Sequence, residues 1–394
     1  MGPIAPHQIS RRLSAYYAAS FLITGIKLPF WPVWLSGRGL GSREIAALFA
    51  AAIWVNVATT PVIGALADRL GRRRAAMIVL AAIATLGYAS LWDAHGFWTL
   101  LGLTLIASAA QSALMPLGDS ITLAAVREDG IDYGRVRVWG SVSFIVAAMA
   151  SGAVLARTVG AGIGGNTVLA LVLAAMVVLF AACVAMPIAR GEVAGPARWA
   201  ALGALAGDRR FWQFVAVAAA LQASHQVYYG FGTLYWRSLG FSDAIIGVLW
   251  AEGVVAEIVL FWQGARLLNR LGPLGLMILG GAAGILRWGL MGLIPGLLPA
   301  FALQPLHALT FGATHLGAMN FLSRTVPPGA AASAQALYAG ASAGIGSGIV
   351  MLGSGALYAG YGGRAYLFMA ALSALGLLGA ARLATSVSQR PHFG

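Results

Sequence analysis

The stretch TVLALVLAAMVVLFAACVAM at 167–186 runs the depth of a membrane without one charged residue. A helix of about 20 residues rises roughly 30 Å, the thickness of a bilayer's hydrocarbon core. Apolar runs of this kind recur along the whole chain, and they decide the fold class. Hydrocarbon offers no water to a bare N–H or C=O, so only helices and closed barrels cross it. Barrel strands would alternate apolar and polar residues over about ten positions, and these runs do not alternate. The expectation is an all-α polytopic membrane protein. Composition agrees: 59% of the 394 residues are hydrophobic and 9% are charged, against about a quarter charged in a soluble domain.

Twelve spans are expected, near 13–36, 43–67, 75–92, 96–125, 136–157, 167–188, 211–236, 244–268, 273–293, 296–323, 331–358 and 364–386. Glycine and alanine are scattered through them, as close helix packing in lipid requires. The one long connection, 189–210, divides the spans six and six. The expected organisation is an N-terminal bundle (1–188), a cytoplasmic linker (189–210) and a C-terminal bundle (211–394). The string ALADRLG (65–71) after the second span is echoed by RLLNRLG (266–272) after the eighth. Two pseudo-symmetric six-helix bundles of this kind place a binding site at their interface near the membrane midplane.

The net charge of +13 raises nucleic acid as a partner. The positions of the charges argue against it. With the N-terminus in the cytoplasm, 18 of the 25 basic residues fall in cytoplasmic segments and five outside. The remaining two, Lys27 and Arg287, lie inside spans. This is the positive-inside pattern for an even number of spans with both termini cytoplasmic. The lone cysteine, Cys183, permits no intramolecular disulfide and no metal cluster. No cofactor is expected, and no cleavable signal peptide.

Between the second and third spans lies Gly64-x-x-x-Asp68-Arg69-x-Gly71-Arg72-Arg73. It resembles the signature loop of the major facilitator superfamily. Gly64 is expected to admit a neighbouring helix and Gly71 to support a tight turn. Asp68 can accept from helix N-terminal donors or pair with arginine. Such a loop gates conformation and does not bind solute. A merely positive-inside loop accounts for the arginines but not for the Gly and Asp spacing.

Ionisable groups inside spans are rare and functional candidates by default. Here they are Lys27, Asp119, His225, Glu252, Glu257, Arg287, His307 and His315. Glu252 and Glu257 are about 140° apart around a helix, so both cannot face one partner squarely. His307, Phe311 and His315 share a face, as do Gln222, His225, Gln226 and Tyr229. A carboxylate that loads and releases a proton needs apolar surroundings and a cation that reaches it in one conformational state. Glu257, Arg287 and His307 or His315 supply those parts; a permanent structural ion pair is the alternative. His225 either lines the site or hydrogen-bonds across helices. Asp119 is expected to meet Arg135 or Arg137, a gating or site-lining pair, since those arginines lie about 200° apart. Either arginine could instead snorkel to headgroups. Phe30, Tyr228, Tyr229, Phe311 and Tyr338 are candidates for stacking an aromatic solute.

Several strings go further: LPFWPVWL (28–35), DYGRVRVWGS (132–141), YYGFGTLYW (228–236), LWAEGVVAE (249–257), RWGLMG (287–292) and LHALTFGATHLGAMN (306–320). Together they resemble the bacterial 3-phenylpropionic acid transporter family, related to the lactose permease and nucleoside symporter branches of the superfamily. The resemblance implies proton-coupled import of a small organic solute, an aromatic carboxylate above all, across a bacterial inner membrane. It marks Asp119, Arg137, Tyr228, Tyr229, Glu257, Arg287, His307 and His315. Lys27 and Glu252 depart from the family pattern. They either pair with each other, or Lys27 faces the cavity and binds a substrate carboxylate.

The expected activity is therefore symport of a small-molecule solute with protons by a monomer in lipid, with a nucleoside or sugar symporter as one alternative. A proton-coupled exporter is another, though SVSFIVAAMASGAVLA (141–156) lacks the proline such antiporters carry in helix 5. An enzyme would need a catalytic constellation, and the sequence offers no metal cluster, Ser-His-Asp arrangement or nucleotide loop.

Overall fold

The computed structural model describes residues 5–160, 164–188, 207–326 and 331–388. Most of the linker expected at 189–210 lies outside them. Among the described residues the regular structure is entirely helical. By Cα packing the chain forms two compact units, Met1–Gly195 with Gly240–Ala251, and Pro196–Leu239 with Glu252–Gly394.

In the first unit the spans are α1 (Pro6–Gly37), α2 (Ser42–Leu70), α3 (Arg73–Ala89), α4 (Phe97–Asp129), α5 (Tyr133–Gly160) and α6 (Thr167–Ala185). The second carries α7 (Arg209–Ala223 and Gln226–Ser238), most of α8 (Asp243–Trp262), and α9 (Gly264–Leu293). It continues with α10 (Leu297–Leu303 through Thr314–Thr325), α11 (Ala331–Tyr338 and Ser347–Tyr361) and α12 (Tyr366–Ser388). Among the described residues eight helical stretches are long and apolar enough to span a membrane by length and composition. The expected twelve spans are reached because α3 has 17 residues, α7 and α10 are interrupted, and α11 and α12 merge into one apolar stretch.

Lipid supplies no hydrophobic drive between helices, so close backbone approach holds them together. α1 is the central helix of the first unit: Leu13, Tyr16, Tyr17, Ile23, Phe30 and Leu35 are fully buried. Gly25 brings α1 onto α5, where a Cβ would sit 2.6 Å from the Phe144 carbonyl oxygen. Gly118 of α4 lies under the Tyr16 ring, whose hydroxyl donates to the Leu114 carbonyl at 2.6 Å. In the second unit Gly281 and Gly284 of α9 receive Leu377 and Ser373 of α12. Gly240–Ala251 packs with the first unit, where Gly247 leaves its backbone against Ala148.

The interruptions have local causes. In α7 the Ser224 hydroxyl and the His225 ring both bond the Leu221 carbonyl, at 2.7 and 3.2 Å, and so compete with the backbone ladder. Pro305 denies α10 a donor, and a 3-10 turn there runs into a π-helix over Ala308–Ala313. A second π-helix occupies Ala339–Gly346 of α11. Such departures from α geometry gather at functional sites.

Gly64 corrects an expectation: among the described residues nothing lies within 4 Å of where its Cβ would be, so it admits no neighbouring helix. The two glycines separate experimentally. Gly25→Val should destabilise the protein by about 1–3 kcal/mol through overpacking, seen as a lower melting temperature in detergent. Gly64→Ala should leave that temperature unchanged or slightly higher, because alanine suits a helix interior better than glycine.

Candidate functional site: two cationic centres

Arg287 of α9 is fully buried, as are His225 and Gln304. Among the described residues no carboxylate lies within 4 Å of its guanidinium, which bonds neutral groups instead. One terminal nitrogen donates to His307 Nδ1 and to Thr310 Oγ1, both at 3.1 Å. The other donates to Gln304 Oε1 at 2.8 Å. The Gln304 amide in turn donates to Tyr228 Oη at 3.0 Å. The Tyr228 and Trp288 rings lie 4.8 and 4.4 Å from the guanidinium carbon, within cation–π range. The Nε–H is buried without a hydrogen-bond partner.

These contacts fix protons. Arginine only donates, so His307 Nδ1 accepts and the ring, neutral, carries its proton on Nε2. That nitrogen faces Glu257 Oε2 at 3.9 Å. Gly253 of α8 lies against the His307 ring and Gly312 of α10 against Glu257, so neighbouring helices bring the two side chains together. His225 donates from Nδ1 to backbone carbonyls and presents Nε2 to Thr310 Oγ1 at 3.1 Å. His307, Phe311 and His315 form a parallel stack with centroids 5.5 and 6.0 Å apart. Tyr229 stacks on His225 at 5.6 Å. The expected partnership of Glu257 with Arg287 thus has His307 interposed.

The second centre belongs to the first unit. Lys27 Nζ donates to Tyr88 Oη and, at 3.0 Å, to Gln111 Oε1. The Tyr88 hydroxyl donates in turn to Gln111 Oε1 at 2.7 Å. Within its own unit Lys27 thus bonds two neutral acceptors. Glu252 Oε2 is shielded and has no hydrogen-bond partner. Lys27 borders a cavity of about 220 Å³.

Other expected residues fall elsewhere. Tyr17, not an arginine, bonds Asp119; the Arg137 guanidinium lies over the Phe21 ring at 4.1 Å and the Tyr17 ring at 5.3 Å. No contact within 4 Å joins Asp119 to Arg135 or Arg137 among the described residues, though Arg137 is close enough to act on Asp119 by its charge. Phe30 is fully buried. Tyr338 packs with Phe214 and Phe321 in the second unit's core, away from the Arg287 cluster. Gln226 is buried. In the loop after α2, Asp68 pairs with Arg73 at 2.6 Å and Gly71 ends the helix with φ of 61°. Arg69 and Arg72 flank that pair.

Gln304, Thr310, Tyr88 and Gln111 were not anticipated. Their signal was available: Gln304 and Thr310 lie three residues either side of His307, and Gln111 sits in an apolar run that tolerates few amides.

Residues 10–370 match the MFS_1 like family. A probable 3-phenylpropionic acid transporter of Escherichia coli (strain K12) is 31% identical over 324 residues, 80% of this chain and 83% of that protein. A maltose permease of Geobacillus stearothermophilus is 26% identical over 375 residues, 92% of this chain and 91% of that one. A solved variant of the nucleoside transporter NupG superposes with a TM-score of 0.86 at 17% identity, covering 95% of this chain and 99% of that one. These transporters share one helical fold, and the chain belongs to the MFS_1 like family, as a membrane-spanning transporter of the major facilitator superfamily.

Proposed function

We propose that this transporter is a proton-coupled symporter that imports a small organic acid by alternating access, and that Glu257 carries the proton. The observation that supports this most is the order Arg287–His307–Glu257. A neutral imidazole accepts from the cation on one side and turns its N–H toward the carboxylate on the other. With Glu257 protonated, the charge of the enclosed Arg287 goes unanswered and favours an incoming anion by its field rather than by contact. With Glu257 ionised, the carboxylate answers that charge through His307. Proton loading and anion binding thereby favour each other, which is the coupling a symporter needs. Thr310 and His225 extend the same hydrogen-bonded chain.

The name of the Escherichia coli relative supports an organic acid as the solute, with 3-phenylpropionate as one member of the class. The protein works as a monomer in the bacterial inner membrane with both termini cytoplasmic, and the Asp68–Arg73 loop gates the cytoplasmic side. Asp119, held by Tyr17, is a second carboxylate that can take part in proton movement.

Two measurements test this. Proteoliposomes loaded with a pH-sensitive dye, offered a panel of organic acids and neutral sugars, should acidify inside as an accepted acid enters. Glu257→Gln should reduce gradient-driven accumulation at least tenfold while exchange at equal concentrations persists. Accumulation by Glu257→Gln that still follows the imposed gradient would sink the proton assignment. Separately, Gln304→Leu removes both the Arg287 acceptor and the Tyr228 donor. Because hydrogen bonds to charged groups contribute about 1.5–3 kcal/mol, this variant should melt at a lower temperature in detergent than the wild type.

A further inference from the structure

The cavity beside Lys27 has an unusual chemistry for the interior of a membrane protein. Seven of its ten lining residues are polar, and none is acidic or aromatic. Leu114, Met115 and Leu179 close the apolar part. The hydrogen bonds already made show which polar atoms are spoken for. The Lys27 ammonium has three N–H groups, and two are used by Tyr88 and Gln111. Gln111 Oε1 accepts from both Lys27 and Tyr88, which leaves its amide N–H₂ to donate elsewhere. Asn56 Oδ1 accepts from Ser108 Oγ at 3.1 Å, which likewise leaves its amide N–H₂. Ser20 is 8% exposed at the cavity wall, and its Oγ lies within reach of the Tyr16 hydroxyl but makes no well-aligned hydrogen bond among the described residues.

The uncommitted donors are one ammonium N–H, two amide groups and the Ser20 hydroxyl, while the Thr24 and Ser108 hydroxyl oxygens, their protons already given, can still accept. A ligand that answers them brings acceptor oxygens, one pair of them charged. Resting on the transporter reading above, we infer that the Lys27 cavity binds a hydroxylated carboxylate, its carboxylate on Lys27 and its hydroxyl oxygens on Asn56, Gln111 and Ser20. The volume of about 220 Å³ is roughly seven times the ~30 Å³ share of a liquid water, the size range of a small hydroxy acid. An unsubstituted phenylalkanoate satisfies the ammonium but leaves the amides and the hydroxyl unpaired. A site built to bond hydroxyls discriminates strongly against an analogue that lacks them. The solute class of this chain thus differs from that in the name of its Escherichia coli relative.

The test is calorimetric binding to the purified full chain with four kinds of probe: D-threonate and D-gluconate, 3-phenylpropionate, and the neutral polyol sorbitol. At least one hydroxy acid should bind tenfold or more tightly than both 3-phenylpropionate and sorbitol. Lys27→Gln should weaken that acid at least tenfold, and Ser20→Ala severalfold. Melting curves identify any variant that fails to fold, and Ser20→Ala, a small truncation, keeps the test open if Lys27→Gln does. Tighter binding of 3-phenylpropionate than of either hydroxy acid, or no effect of Ser20→Ala on a bound hydroxy acid, would overturn the inference. Should another acid drive proton entry into vesicles while neither hydroxy acid binds, the inference falls and the symporter reading stands. Should a hydroxy acid bind through Lys27 yet move no protons, the cavity assignment stands and the symporter reading falls.

Discussion

A polar group buried at membrane depth has only the protein to bond to, and the interior of this chain is organised by that requirement. Its hardest case is Arg287, a permanent charge with no exposed surface and, among the described residues, no carboxylate within 4 Å. A buried ion left without partners is penalised by several kcal/mol. The second unit responds with geometry: the Pro305 break and the π-turn of α10 present Gln304, His307 and Thr310 together to one guanidinium. The break in α7 adds His225 behind Thr310, while Tyr228 and Trp288 close over the cation. The irregular backbone and the buried charge belong to one design, since regular α-helices would not have brought these groups to one point.

The two buried cations are handled differently, and the difference follows from their chemistry. Arginine's planar fork distributes its charge over several partners and is only weakly hydrated, so a set of neutral acceptors and aromatic faces suits it. Lysine concentrates its charge on one ammonium that is strongly hydrated. Two neutral acceptors do not replace that hydration, and the structure leaves the third N–H beside a polar cavity. Arg287 is consequently enclosed by the protein, whereas Lys27 is only partly so.

Much of this was legible beforehand, for physical reasons. Long apolar runs in a chain with few charges allow only helices, and the rarity of charge inside spans singled out Lys27, Glu257, Arg287 and His307. Side-chain pairing was less legible. Charge counting matches opposite signs, so it offered Asp119 an arginine and Lys27 either Glu252 or a substrate carboxylate. It did not foresee the neutral groups that bond them: Tyr17 on Asp119, and Tyr88 and Gln111 on Lys27. Neutral hydroxyls and amides are common enough in any sequence that spacing alone does not mark them. Phe30 and Tyr338 show the converse, because an aromatic ring one turn from a polar group fits a packed core as readily as a binding site.

Likeness at the level of the fold says little about the solute. Proteins named for 3-phenylpropionic acid, maltose and nucleosides align with this chain at 31%, 26% and 17% identity, and each alignment spans most of its length. What they share is the problem of crossing a bilayer as helices; function resides in the few polar side chains set into that scaffold. In this chain the sole lysine, Lys27, is one of those side chains, and Asn56, Gln111 and Ser20 surround it with unused donors. Free amide donors and hydroxyl oxygens next to a positive charge specify the complementary ligand: an anion that also carries hydroxyl groups. Selectivity is then set by the unpaired donors a wrong ligand leaves behind, because in a site without competing water those groups have nothing else to bond.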